Sequence, residues 1–182
     1  MPFLLPENME VTPNLLTTNL SPIPPLQWIA AIESSYFQNQ EWVGWSDHLQ
    51  QILPKSDDWL VELCVAWTPE QALEVLWKAL NGFLVFPYQE AKIGFLFKQY
   101  QEGRIKTLPA LLERADAFQQ SIDEDNLVFF QLQEKANTTD ENHPQLLSEI
   151  EDAFREYAQL AQQCLNDLSA LSPLLGPNLD FP

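Results

Sequence analysis

The most regular alternation of apolar and polar positions lies between Pro144 and Leu171. Apolar residues recur there at steps of three and four, at Leu147, Ile150, Phe154, Tyr157, Ala161, Cys164, Leu168 and Leu171. That spacing places them on one face of an α-helix, with acidic and amide side chains at the other positions. We predict one long helix over residues 144–171, packed along its length against a partner of similar length.

A second apolar series precedes this helix and consists of Leu111, Ala115, Phe118, Ile122, Phe129, Leu132 and Ala136. The series is interrupted at Asp125, inside an acidic cluster over residues 123–126. Either one long helix bends there, or two shorter and nearly collinear helices meet, and we favour two. With a polar turn at 137–142, residues 107–171 then predict an antiparallel helical hairpin.

The residues before this hairpin predict several shorter helices. The first runs from about Pro25 to Gln38 and is followed by an aromatic connector carrying Trp42 and Trp45. Ser46 and Asp47 then cap a short helix that ends near Leu53.

Two more helices are expected in the middle of the chain. Residues 59–67 are apolar at every position except Glu62, which predicts a helix at the centre of the fold. Thr68-Pro69-Glu70-Gln71 has the pattern of a capping box and begins the next helix, on which Glu74 and Lys78 form an i,i+4 pair.

Residues 87–102 favour a further helix, but the apolar runs 83–87 and 93–97 are also compatible with a short β-hairpin. A proline-rich arm over residues 1–24 either crosses the helical body or serves as a docking peptide. Residues 173–182 form a tail. We predict an all-α fold, with one helical domain at 25–172 in which a Trp-rich cluster (25–106) packs on the hairpin (107–171). The alternative is an α+β fold with a hairpin near 83–97.

The chain is strongly acidic, with a net charge of −17 and no Lys or Arg before Lys55. Such a surface repels nucleic-acid phosphates and anionic lipids, so we expect neither nucleic-acid nor membrane binding. A basic protein partner is compatible with this charge, although solubility alone also explains it. The first residues lack the pattern of a secretory signal, and we expect a cytoplasmic protein with two free thiols.

Residues suited to catalysis are scarce. His48 and His143 are the two histidines, and no glycine-rich phosphate loop occurs. The acidic run at 123–126 differs from a calcium-binding loop because an apolar residue, Leu127, stands at its fifth position. We therefore expect no catalytic residues, no metal and no cofactor.

Protein–protein binding is the function that these features favour, as an adaptor or as an inhibitor or immunity-type protein for a basic partner. Trp42 and Trp45 are candidate aromatic anchors, and Glu149, Asp152 and Glu156 are candidate contacts on the outer face of the long helix. Several alternatives remain open. In the first alternative, the tryptophans form a core and contact no partner. In the second, the protein is an enzyme or small-ligand binder with a helix-lined apolar pocket. In the third, two copies form a homodimer through the long apolar seam.

Overall fold

A computed structural model of the protein describes residues 25–52, 58–80, 86–139 and 143–170. Within these ranges the fold is all-α, with eight helices and no strand. The helices are α1 Pro25–Glu33, α2 Asn39–Ile52, α3 Asp58–Cys64, α4 Pro69–Ala79, α5 Tyr88–Gln101, α6 Leu108–Gln120, α7 Val128–Thr138 and α8 Pro144–Ala170. The expected N-terminal arm (1–24) and C-terminal tail (173–182) lie outside the described residues.

The long helix α8 is present as the sequence predicts, but its main partner is α5 rather than residues 107–136. The two backbones touch at Gly94, because a Cβ atom built on Gly94 would lie 1.9 Å from the carbonyl oxygen of Tyr157. Glycine is therefore required where the two helices cross. The expected hairpin arrangement is not confirmed.

Helices α6 and α7 pack against each other, so the expectation that they are nearly collinear is wrong. Separate helices are nevertheless observed on either side of Asp125, in agreement with the interrupted apolar series. Helix α6 also packs on α5, and α7 packs on α8. At their shared core the Phe154 ring stacks on Phe97 and contacts Phe129, each pair with ring centroids 4.7 Å apart.

A second apolar core joins α1–α4 to parts of α5 and α8. Within this region the predicted connector is wrong, because Trp42 and Trp45 lie inside helix α2. Ser46 and Asp47 belong to the same helix and do not begin a new one. The chain turns earlier, after α1, where Ser35 adopts a φ of 61°.

Local capping signals are confirmed. Thr68 and Gln71 form the complete capping box at the start of α4, and Lys78 Nζ lies 2.7 Å from Glu74 Oε1. Residues 93–97 belong to α5, which excludes the second strand of the alternative β-hairpin, while residues 81–85 are not among those described. No helix in the described ranges has the length and apolar character needed to cross a membrane.

A partly buried ion pair connects α1 to α5. Lys92 Nζ lies 2.8 Å from Glu33 Oε2, and the same amine sits 4.5 Å from the centroid of the Phe118 ring on α6. The carboxylate and the aromatic face together compensate for the removal of this ammonium group from water. One charged side chain thus holds three helices in register.

The two cysteines are expected to differ in reactivity. Cys164 is buried in the apolar core, and burial raises the pKa of its thiol, whereas Cys64 is partly exposed. Brief treatment of the native protein with N-ethylmaleimide should therefore modify Cys64 alone. Mass spectrometry of the digested protein measures this, and both residues should react after unfolding. Equal labelling of the two in the native protein would contradict the packing of α8.

Candidate interaction surface

The tryptophans divide into buried and exposed members. Trp42 and Trp45 have no exposed surface, and Trp28 is equally buried beside Trp45, with ring centroids 4.9 Å apart. Interpreting Trp42 and Trp45 as partner contacts is therefore wrong for this structure, and the alternative of a Trp-rich core is correct for these residues. Trp67, by contrast, is 67 % exposed.

Trp42 nevertheless affects the position of Trp67. Its indole Nε1 donates a buried hydrogen bond of 2.7 Å to the carbonyl oxygen of Ala66, the residue directly before Trp67. On the other side, the Gln71 side-chain oxygen accepts from the backbone N–H groups of Trp67 and Thr68, at 2.9 and 3.3 Å. The backbone that carries Trp67 is therefore fixed from both directions.

Two valines extend the exposed apolar area. Val61 and Val65 are 48 % and 64 % exposed and lie one helical turn apart. The N–H of Val65 still bonds to the carbonyl oxygen of Glu62, at 3.3 Å, so the helical turn continues past the end of α3. We call Val61, Val65 and Trp67 the Trp67 surface. Single exposed apolar residues are ordinary on soluble proteins, whereas contiguous exposed apolar patches mark interaction sites, which makes these three a candidate.

Acidic side chains border this surface. Asp58 and Glu62 are exposed and also lie one turn apart on α3, and neither forms an ion pair with another described residue. Lys78 on α4 is already engaged by Glu74, and this contact raises the pKa of Lys78 and lowers that of Glu74. The charge of Glu62 also contributes to the raised pKa of Lys78, but Asp58 and Glu62 form no ion pair among the described residues and can still contact a partner.

The sequence predicts this segment at the centre of the fold, because it is almost entirely apolar. In the structure α3 buries Leu60 and Leu63 and turns Val61 outward, and Val65 is exposed in the turn directly after it. The capping box could have indicated that Trp67 is exposed, because Trp67 directly precedes the N-cap residue Thr68 and therefore lies outside both α3 and α4. Its exposure itself depends on long-range packing.

The three acidic residues predicted as contacts on α8 differ in their exposure and in their ion pairs. Glu149 lies 2.5 Å from Lys135 on α7, and Asp152 pairs with Arg155. Glu156 is exposed and has no ion pair within the described ranges. The Lys135 contact lowers the pKa of Glu149.

A groove of about 310 Å³ runs between α7 and α8 and contains two of these acids. Its lining residues are Val128, Gln131, Leu132, Lys135, Glu149, Asp152 and Ala153. Both carboxylates in the groove are engaged by neighbouring cations, and no histidine lines it. Among the residues that the structure describes, no three His, Cys, Asp or Glu side chains come together as a metal site would require.

Comparison of the chain with protein-family models, with curated proteins and with solved structures finds no match.

Proposed function

We propose that this protein acts by binding another protein, as an adaptor or inhibitor, through the Trp67 surface. The observation that supports the proposal is the exposure of Val61, Val65 and Trp67 on a backbone held by Trp42 and Gln71. Tryptophan offers a large apolar contact area with one polar group. Because the backbone is already ordered, binding loses less conformational entropy than it would at a loose loop.

The acidic face of α8 belongs to the same proposal as a second contact. Glu149, Asp152 and Glu156 would act on a basic partner mainly through long-range attraction, which speeds association and orients the partner. Since Glu149 and Asp152 already have ion-pair partners, Glu156 is the residue of this set that has its charge uncompensated. A cytoplasmic setting remains part of the proposal.

Two other functions receive less support. An enzyme or small-ligand binder needs a pocket with converging polar groups, and both carboxylates that line the α7–α8 groove are already engaged by cations. A homodimer through the seam of α8 needs an uncovered apolar face. Ile150, Phe154, Ala161 and Leu168 of that seam are buried within one chain.

The proposal predicts that Trp67→Ala weakens binding of the partner about thirtyfold or more, because an interface anchor contributes about 2 kcal/mol to the binding free energy. Affinity capture with the full chain supplies the partner, and calorimetry with the purified partner measures the dissociation constant. The matched control is Phe130→Ala, which removes an aromatic ring of comparable exposure (46 %) from α7.

Trp67→Ala should leave the thermal midpoint nearly unchanged, because the side chain is mostly in water, so lost binding would not reflect unfolding. In a parallel arm, Glu149→Gln, Asp152→Asn and Glu156→Gln together test the acidic face of α8. Wild-type affinity in Trp67→Ala would refute the proposed function, whatever the triple variant does.

A further inference from the structure

We infer that the partner presents a basic amphipathic helix, whose apolar side chains cover the Trp67 surface while its Lys or Arg side chains face Asp58 and Glu62. The inference rests on the proposed function and adds to it the chemistry and shape of the partner segment. It follows from the arrangement of two rows of side chains on the outer face of α3.

The first row is apolar and the second is acidic. Val61 and Val65 are four residues apart, as are Asp58 and Glu62, so each pair lies along the axis of α3. With about 100° between successive residues, the order around the exposed face is Val61, Val65, Asp58, Glu62. An apolar row and an acidic row therefore lie side by side, and the exposed Trp67 follows Val65 by two residues in the chain.

Neither residue of the acidic row has an ion-pair partner among the described residues, although the charge of Glu62 contributes to the raised pKa of Lys78. Residues 58–80 contain four acids, Asp58, Glu62, Glu70 and Glu74, and one base, Lys78. Glu74 and Lys78 form an ion pair, with nitrogen and oxygen 2.7 Å apart. Glu70 is engaged at the start of α4, where its own backbone N–H and the Thr68 hydroxyl lower the pKa of its carboxyl group.

These rows fit a helix better than an extended segment. A partner helix with apolar residues at i, i+3, i+4 and i+7 presents one apolar stripe, and flanking Lys or Arg present a parallel basic stripe. The apolar row and the acidic row on α3 also repeat once per helical turn, as the two stripes of the partner helix do. Strand addition is unavailable here, since the described parts of this chain offer no sheet edge.

The probe for this inference is a designed 18-residue helical peptide with Leu at the stripe positions and Lys elsewhere. A second peptide keeps every Leu and replaces each Lys by Glu. Both are titrated into the full-length, ¹⁵N-labelled protein, and NMR follows the backbone amides of Val61 and Val65 and the indole N–H of Trp67. We expect the Lys peptide to shift these resonances and to bind at least about tenfold more tightly than the Glu peptide.

Charge variants separate this site from general attraction to an acidic protein. Asp58→Asn with Glu62→Gln should weaken the Lys peptide about five- to tenfold and reduce the salt dependence of its binding. The matched control, Glu124→Gln with Glu151→Gln, removes two exposed charges elsewhere and should change the affinity less than about twofold.

Equal binding of the Lys and Glu peptides would overturn the inference, as would an equal loss of affinity in the two charge variants. Shifts confined to α8 would likewise show that the basic peptide binds elsewhere. These failures differ from failure of the proposed function, which is decided by the natural partner and Trp67→Ala. If that variant loses the partner while Asp58→Asn with Glu62→Gln retains it, the Trp67 surface binds a partner of different chemistry.

Discussion

Gly94→Ala is expected to destabilise the fold by more than about 3 kcal/mol, at the upper end of what overpacking a core costs. The added Cβ would lie 1.9 Å from the Tyr157 carbonyl oxygen, 2.5 Å from its carbon and 2.9 Å from the Cβ of Ala161. Two of these atoms are backbone, so no side-chain rotation removes the clash. Helix α5 must move away from α8, and both apolar cores include residues of these two helices.

The expected loss of stability is informative, because it is opposite to the usual effect of replacing glycine by alanine in a helix. In an exposed helix interior, replacing Gly by Ala stabilises by about 1 kcal/mol, because alanine has the higher helix propensity. Gly103 provides the control: it has a φ of 71° and no heavy atom within 4 Å of an added Cβ, so Gly103→Ala should cost only about 1–2 kcal/mol of backbone strain. Urea denaturation measures the change in the free energy of unfolding for both variants. A neutral or stabilising Gly94→Ala would mean that α5 and α8 do not cross as described.

Trp42→Phe is expected to cost about 1–3 kcal/mol more than Trp45→Phe. Both indoles are fully buried, and each substitution removes the same ring atoms. Their hydrogen bonding differs: Trp42 Nε1 donates to the Ala66 carbonyl, whereas Trp45 Nε1 has no hydrogen-bond partner among the described residues. Trp42→Phe leaves the Ala66 carbonyl buried and unpaired, while Trp45→Phe removes an unpaired donor.

The same pair of variants tests how Trp67 is positioned. If the Trp42 indole fixes the turn before Trp67, Trp42→Phe should weaken partner binding several-fold at a temperature where the variant remains folded. Trp45→Phe should leave partner binding unchanged. Denaturation curves give the stability difference, and calorimetry with the partner gives the affinity. Equal stability losses, together with unchanged binding in Trp42→Phe, would show that this hydrogen bond does not position the surface.

Local patterns in the sequence were sufficient to predict much of the helical structure. Apolar spacing predicted α8, and the Thr68–Pro69 pair marked the start of α4, where the capping box forms as expected. Such signals are encoded within a few residues, so they do not depend on the rest of the fold. The interruption of the apolar series at Asp125 was visible in the sequence because it, too, is a local pattern.

The pairing of helices was not predictable in this way. Whether α8 packs on α5 or on residues 107–136 depends on surfaces far apart in the chain, and the deciding contact is between Gly94 and Tyr157. The glycine alone gave no sign of it, because its neighbours Ile93 and Phe95 suit a strand as well as a helix. Contacts at this sequence separation are set by tertiary packing.

The candidate site was missed for a related reason. An apolar residue in a short helix faces either the core or water, and composition does not distinguish the two. Trp42 and Trp67 are the same residue type 25 positions apart, yet one is fully buried and the other mostly exposed. Only the packing of α3 on α2 and α4 separates them.

The central claim is that Trp67 is the exposed anchor that a protein partner covers. The most direct test is the paramagnetic relaxation of the six tryptophan indole N–H resonances by a soluble gadolinium complex, with and without the partner. We predict that Trp67 is the most strongly broadened indole in the free protein and becomes protected in the complex. A Trp67 indole that stays equally broadened when the partner is bound would contradict the claim.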